Sequence, residues 1–200
     1  MPSHLLNGRT ALIVGAGHGT GAAIALTLAA AGATVCAADL NPDRAEAVAV
    51  QILSAGGEAF GAQVNVANRF ELSSLIEDVR DRFGSLSIVV QAARNAPQAD
   101  ALTMDEWDLR RTVDVNVVGA FMLAQLSARV MADERGGDIF LLSRAPGADG
   151  KAPYAATQAA LPPLAEALAA EWASAGVRVH SLPATSAEDA VRGLMLALRA

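Results

Sequence analysis

The chain has 200 residues, 52% hydrophobic and 18% charged, which suits one globular domain over residues 1–200 with a full core and little length for a second. A formal net charge of -6 and a pI near 5.0, with arginines scattered and not gathered in a stripe, exclude a nucleic-acid partner and an anionic membrane surface. The single Cys36 has no disulfide partner and lies in an apolar run, fitting a core thiol in a reducing, cytoplasmic compartment.

Residues 11–14 read as a first strand, followed by the turn Gly15, Gly17, Gly19, Gly21 and a helix carrying Ile24, Leu26 and Leu28. The Ala-rich stretch 11–38 resembles a signal peptide in composition. The glycines and His18 interrupt it where an apolar core is needed, and they suit strand, tight turn and helix. Residues 34–38 predict a second strand, and Asn41 with Pro42 opens a helix that stops near Gly56. Residues 59–64 predict a third strand. Asn68 with Glu71 has capping-box spacing, and Leu72, Leu75, Ile76, Val79 and Phe83 form one apolar helical face. Residues 88–90 predict a fourth strand, Thr103 with Glu106 a second capping box, and residues 139–142 and 177–182 the last two strands. Pro162 and Pro163 predict a kink in the helix after Tyr154. No uninterrupted apolar stretch reaches membrane-spanning length.

Six short apolar runs alternating with helical patterns predict an α/β fold, a doubly wound parallel sheet of the Rossmann type in a single domain. The turn-rich segments 94–101 and 144–153 follow the fourth and fifth strands. In such a sheet the carboxyl ends of the strands border the ligand crevice.

The glycine turn allows positive φ and close backbone approach, so a pyrophosphate can rest on the N–H groups at the helix start. Twenty residues after Gly19, the second strand ends in Asp39, whose carboxylate can accept hydrogen bonds from both adenosine ribose hydroxyls. A 2′-phosphate there would meet like charge, and neither the turn nor Leu40 is basic, so NAD(H) is favoured over NADP(H). A methyltransferase shares a glycine turn and an acid after the second strand, but has no use for the later motifs.

Those motifs resemble the short-chain dehydrogenase/reductase family. Gly15, Gly19 and Gly21 have its G-x-x-x-G-x-G spacing. Asn116, in Asp114-Val115-Asn116-Val117, is similar to its helix asparagine, and Tyr154, in Pro153-Tyr154-Ala155-Ala156, to its catalytic tyrosine. The stretch from Gly176 to Ala184 resembles its lead into the nicotinamide loop. The resemblance implies that Tyr154, Ser143 and Asn116 are catalytic. It implies cofactor contacts at Gly15, Gly17, His18, Gly19, Thr20, Gly21, Asp39, Leu40, Asn65, Val66, Ala92, Ala93, Gln158 and Pro183. A small-molecule substrate and a homo-oligomer, dimer or tetramer, are implied as well. Leu161, Leu164, Leu168 and Trp172 could form the face between copies, or pack on the chain's own sheet.

The chain also departs from the family. Gln158 stands where the family has a lysine, and Lys151, the only lysine in the chain, lies in the loop before Tyr154. Ser143 falls one position early, with Arg144 on the serine position. Gln91, Ala92, Ala93 and Arg94 replace Asn-Asn-Ala-Gly, Asn65 replaces an aspartate, and Glu188 lies near a usual threonine. After one more helix, 187–198, the family's substrate-covering segment and last strand are largely absent, which predicts an open substrate site.

An unassisted phenol titrates near pH 10, so making it a base at neutrality requires about 4 kcal/mol. A neutral Tyr154 can still donate a proton, and reduction is therefore easier than oxidation. Two functions follow: an NAD(H)-dependent oxidoreductase of small carbonyls or alcohols with altered catalysis, or a non-catalytic NAD(H)-binding sensor or structural subunit. His18 and His180 have no partner at metal-ligand spacing, so no metal is expected.

Overall fold

A computed structural model describes residues 4–144 and 152–199. Its elements run β1 (Thr10–Val14), α1 (Gly19–Ala30), β2 (Thr34–Asp39), α2 (Pro42–Ser54), β3 (Ala59–Gln63), α3 (Arg69–Phe83), β4 (Ile88–Gln91), α4 (Glu106–Val113), α5 (Gly119–Asp133), β5 (Gly137–Arg144), α6 (Ala152–Trp172), β6 (Val177–Ala184) and α7 (Ala187–Ala197). The sheet order is β3-β2-β1-β4-β5-β6 and every pairing is parallel. All six strands sit where the apolar runs place them.

β1 and β4 are buried along their whole length, as strands covered by helices on both faces must be. One apolar layer, with Leu12, Leu72, Ile139 and Leu161, packs under α3, α5 and α6. The other, with Ile13, Ile24, Phe140 and Leu194, packs under α1 and α7. Chain direction across the sheet reverses at β1, which pairs β2 on one side (Val14↔Ala38) and β4 on the other (Val14↔Gln91). The crevice between the carboxyl ends of these strands is where a ligand binds in this topology.

Two expected helix starts differ from the sequence reading. Asn68 caps α3 by accepting from the Phe70 and Glu71 N–H groups, but Glu71 reaches back to the Asn65 N–H and the Asn68 side chain, not to the Asn68 backbone. That backbone N–H is already bonded to Asn65 O. At α4 the cap is Asp105, which accepts from Asp108 N at 2.7 Å, and Thr103 instead bonds Asp100 O. A carboxylate at a helix N-terminus outcompetes a hydroxyl two residues earlier through its charge.

α4 runs through a five-residue π-helical segment, Asp114–Val118, into α5. The resulting helix, Glu106–Asp133, is 28 residues long and apolar enough by length and composition to cross a membrane, but charged and polar residues interrupt it, in keeping with the absence of an uninterrupted apolar stretch of that length, and half of its most apolar window is buried inside the fold. It is a core helix. α6 is one helix with Pro162 and Pro163 inside it. Leu161 and Leu168 are buried on the chain's own sheet, and Leu164 and Trp172 pack against the same layer.

Candidate active site

The turn after β1 is built around missing side chains. Gly15 has φ +88° and Gly19 φ +56°. A Cβ at Gly15 would run into the backbone of Ala93, and one at Gly21 into the carbonyl of Gly15. A Cβ on Gly17 would come within 2.7 Å of the Asp39 carboxylate. The turn is thereby pressed against the ends of β2 and β4. Asp39, 8% exposed, accepts the Gly17 N–H at 2.9 Å through one oxygen and the Asn41 N–H at 3.0 Å through the other. Each oxygen keeps a lone pair for a further donor.

The turn opens onto a cavity of about 580 Å³. Gly15, His18, Gly19, Thr20, Gly21, Asp39, Leu40, Asn65, Val66, Ala92 and Ala93, all singled out from sequence, line it. Gly17, also singled out, does not line it. Val64 and Val115 form an apolar flank, and the Asn65 side chain holds the Ala67 N–H at 3.1 Å. An open cradle of N–H groups at the start of α1, an acid at the end of β2 and an apolar slot beside them fit an adenosine diphosphate moiety.

Asn116 is 1% exposed inside the π-helical segment. Its side chain accepts the Asn95 N–H at 2.7 Å and donates to Asn95 O and to Thr157 Oγ1, both at 2.9 Å. Thr157 in turn donates to Tyr154 O at 2.8 Å. One side chain thus ties the loop after β4 to the first turn of α6. Tyr154 is 3% exposed. Ser143, also buried, pairs with Pro183 across β5 and β6, and lies on the strand face of Ile139 and Leu141, toward α6. Gln158 accepts the Arg144 N–H at 3.0 Å. Tyr154, Ser143, Asn116, Gln158 and Pro183 do not line the cavity described above. Lys151 lies outside the described residues.

The chain matches the family model for short chain dehydrogenase over residues 9–188. The chain belongs to the short chain dehydrogenase family. It is 34% identical over 186 residues to D-threitol dehydrogenase of Mycolicibacterium smegmatis, covering 90% of this chain and 70% of that protein. To 7alpha-hydroxysteroid dehydrogenase of Escherichia coli K12 it is 33% identical over 196 residues, 95% and 76% of the two chains. Among solved structures, a short-chain type dehydrogenase/reductase from Mycobacterium marinum superposes with a TM-score of 0.84 at 31% identity, covering 88% of this chain and 72% of that one.

As a member of this family the chain is an oxidoreductase, and nicotinamide dinucleotides are the family's cofactors. Several lining residues escaped the sequence reading as cofactor contacts, among them Arg44, Asn95, Arg94 and Arg111. Arg44 carried a signal, since it lies five residues past Asp39 in the first turn of α2, whereas Arg111 reaches the cavity only through the packing of α4. Two reactive groups lie elsewhere. Burial pushes the Cys36 thiol well up, which removes it as a nucleophile. His180 meets Asp138 at 2.9 Å, but Arg9 and Arg178 already occupy that carboxylate, so the pair is an ion cluster and not a metal ligand set.

Proposed function

We propose that this chain is an NAD(H)-dependent oxidoreductase of small carbonyl or alcohol substrates, working more readily as a reductase. The observation that carries this reading is Asp39, fixed by the Gly17 and Asn41 N–H groups with its free lone pairs toward the cavity. A carboxylate so placed takes two ribose hydroxyls and repels a 2′-phosphate. When bound, the nicotinamide supplies or accepts the hydride. The chain's own contribution is positional and acid–base: the glycine turn and α1 hold the phosphates, Val64 and Val115 flank the adenine, and Tyr154 donates the proton to the carbonyl oxygen. Ser143, on the strand face toward α6, polarises that oxygen. Asn116 holds the loop after β4 and the first turn of α6 in register.

With Gln158 bonded to the Arg144 backbone, no cation sits one turn beyond Tyr154 to favour a phenolate, so oxidation at neutral pH is slow. We propose a cytoplasmic homo-oligomer paired through α5 and α6, where Phe121 of α5 and Val118 just before it remain exposed.

Calorimetric titration with NADH and NADPH, followed by an NADH-oxidation assay over a panel of carbonyls, tests the reading. NADH should bind more tightly, with turnover lost in Tyr154→Phe and binding kept. Preference for NADPH would reverse the cofactor assignment, and binding without turnover would remove the catalytic one.

A further inference from the structure

The cavity holds more positive charge than a glycine turn requires. Among the described residues Asp39 is the one acid in its lining, against Arg44, Arg94 and Arg111, in a chain of net charge -6. Two of these arginines are placed as a pair. Asn95, next to Arg94, donates from Nδ2 to Thr112 Oγ1 at 3.1 Å, and Thr112, next to Arg111, is fully buried and anchored on Asp108 O at 2.7 Å. The Asn95 backbone is held at both its N–H and its carbonyl by Asn116. The loop after β4 and helix α4 are therefore locked together, with a cavity-lining arginine beside each half of the lock. Neither arginine has a carboxylate partner among the described residues. The Arg111 guanidinium sits 5.4 Å from the centre of the Trp107 ring, which restrains it without neutralising it. Immediately before Arg94, the Ala93 backbone abuts Gly15 of the phosphate turn, so the arginine pair follows directly on the cradle.

We propose that Arg94 and Arg111 clamp the phosphates of the bound dinucleotide beside the glycine turn, and that their positive charge makes the site favour the reduced dinucleotide. This rests on the NAD(H) reading above. Guanidinium groups bind phosphate oxygens in a fork that backbone N–H groups do not supply. The reduced dinucleotide carries one more net negative charge than the oxidised one, so a lining with three arginines against Asp39 holds it more tightly. A site biased this way keeps NADH bound at low concentration and releases the oxidised product, which suits reduction.

The test is titration of wild type, Arg94→Gln/Arg111→Gln and Arg94→Lys/Arg111→Lys with NADH, NAD+ and ADP-ribose at low and high salt. The glutamine pair should weaken NADH and ADP-ribose by roughly 10-fold or more, weaken NAD+ less, and flatten the salt dependence. The lysine pair should keep most of the affinity. Unchanged NADH affinity in a glutamine pair that melts like wild type overturns the clamp, as does loss of NADH binding with ADP-ribose unaffected. Equal losses for NADH and NAD+ overturn the preference for the reduced form. If wild type itself fails to bind NADH, the NAD(H) reading falls and takes the clamp with it; wild-type binding with an indifferent variant removes the clamp alone.

Discussion

Gln158 and Arg144 meet where α6 passes the end of β5, the Gln158 side-chain carbonyl accepting the Arg144 N–H at 3.0 Å. A lysine at 158 cannot accept that bond, so this residue has exchanged a charge for a hold on the strand end. Gln158→Ala leaves the N–H unpaired and should cost about 1–3 kcal/mol, a fall in Tm of about 2–10 °C for a chain of this size. Gln158→Lys should show a similar fall. It also adds a cation four residues from Tyr154 on the same helix face, which favours the phenolate. Alcohol oxidation in that variant should extend to lower pH than in wild type; an unmoved pH–rate profile would show that the cation does not reach the phenol.

Asp39 combines two tasks, bracing the glycine turn and facing the cavity. Asp39→Asn keeps an acceptor for one backbone N–H but removes the charge. The NADH-to-NADPH affinity ratio should drop by about 10-fold or more, the scale of a lost charged hydrogen bond, with Arg44 alongside to receive a 2′-phosphate. Paired titrations of wild type and variant measure it. A ratio that stays put would mean that Asp39 serves the turn alone.

Much of this was legible because parallel strands buried on both faces leave continuous apolar runs, and because Asp39 follows Gly19 at the spacing a strand, turn and helix impose. β5 was read two residues short at each end, since Asp138 and Arg144 look like loop residues until β6 pairs with them along its full length. Thr103 looked like a cap because local spacing cannot weigh it against Asp105. The arginines of the cavity were illegible for a different reason: Arg94 and Arg111 are 17 residues apart in the chain, and tertiary bonds from Asn95 to Thr112 and Asn116 bring their neighbours together. Gln158 read as a ligand residue, whereas its visible bond is to the backbone.

Asn116 supports three hydrogen bonds that join the β4 loop to α6. Replacing it with leucine leaves the Asn95 N–H and carbonyl without their side-chain partners in a half-buried setting, at an expected cost of about 1–3 kcal/mol. Asn116→Asp keeps the acceptor for Asn95 N–H but loses both donations, and should fall between the two. Hydrogen exchange should report faster opening at Asn95 in both variants, ahead of any change in the β1 amides. Exchange that rises uniformly would place the loss in the whole core and not in this staple.

Asp138 is fully buried at the start of β5 and is bonded to Arg9 at 2.7 Å, to Arg178 twice at 2.8 Å and to His180 at 2.9 Å. Burial alone would raise its pKa, but the hydrogen bonds from His180, Arg178 and Arg9 outweigh it and hold the carboxyl well below the usual carboxylate range. The folded state therefore binds fewer protons at this group than the unfolded chain, whose aspartates titrate near pH 3.9. Its contribution is fully present above about pH 5 and is lost as the pH falls below that. Asp138→Asn strands two arginines and should cost about 3 kcal/mol at pH 7. That is the low end of the usual range, because the Arg178 side chain is 62% exposed and can turn to water. Urea unfolding of wild type and Asp138→Asn at pH 7 and pH 3 should show the gap between them narrowing at the acid end. A gap of the same size at both pH values would mean that packing around residue 138, and not its charge, holds β1, β5 and β6 together.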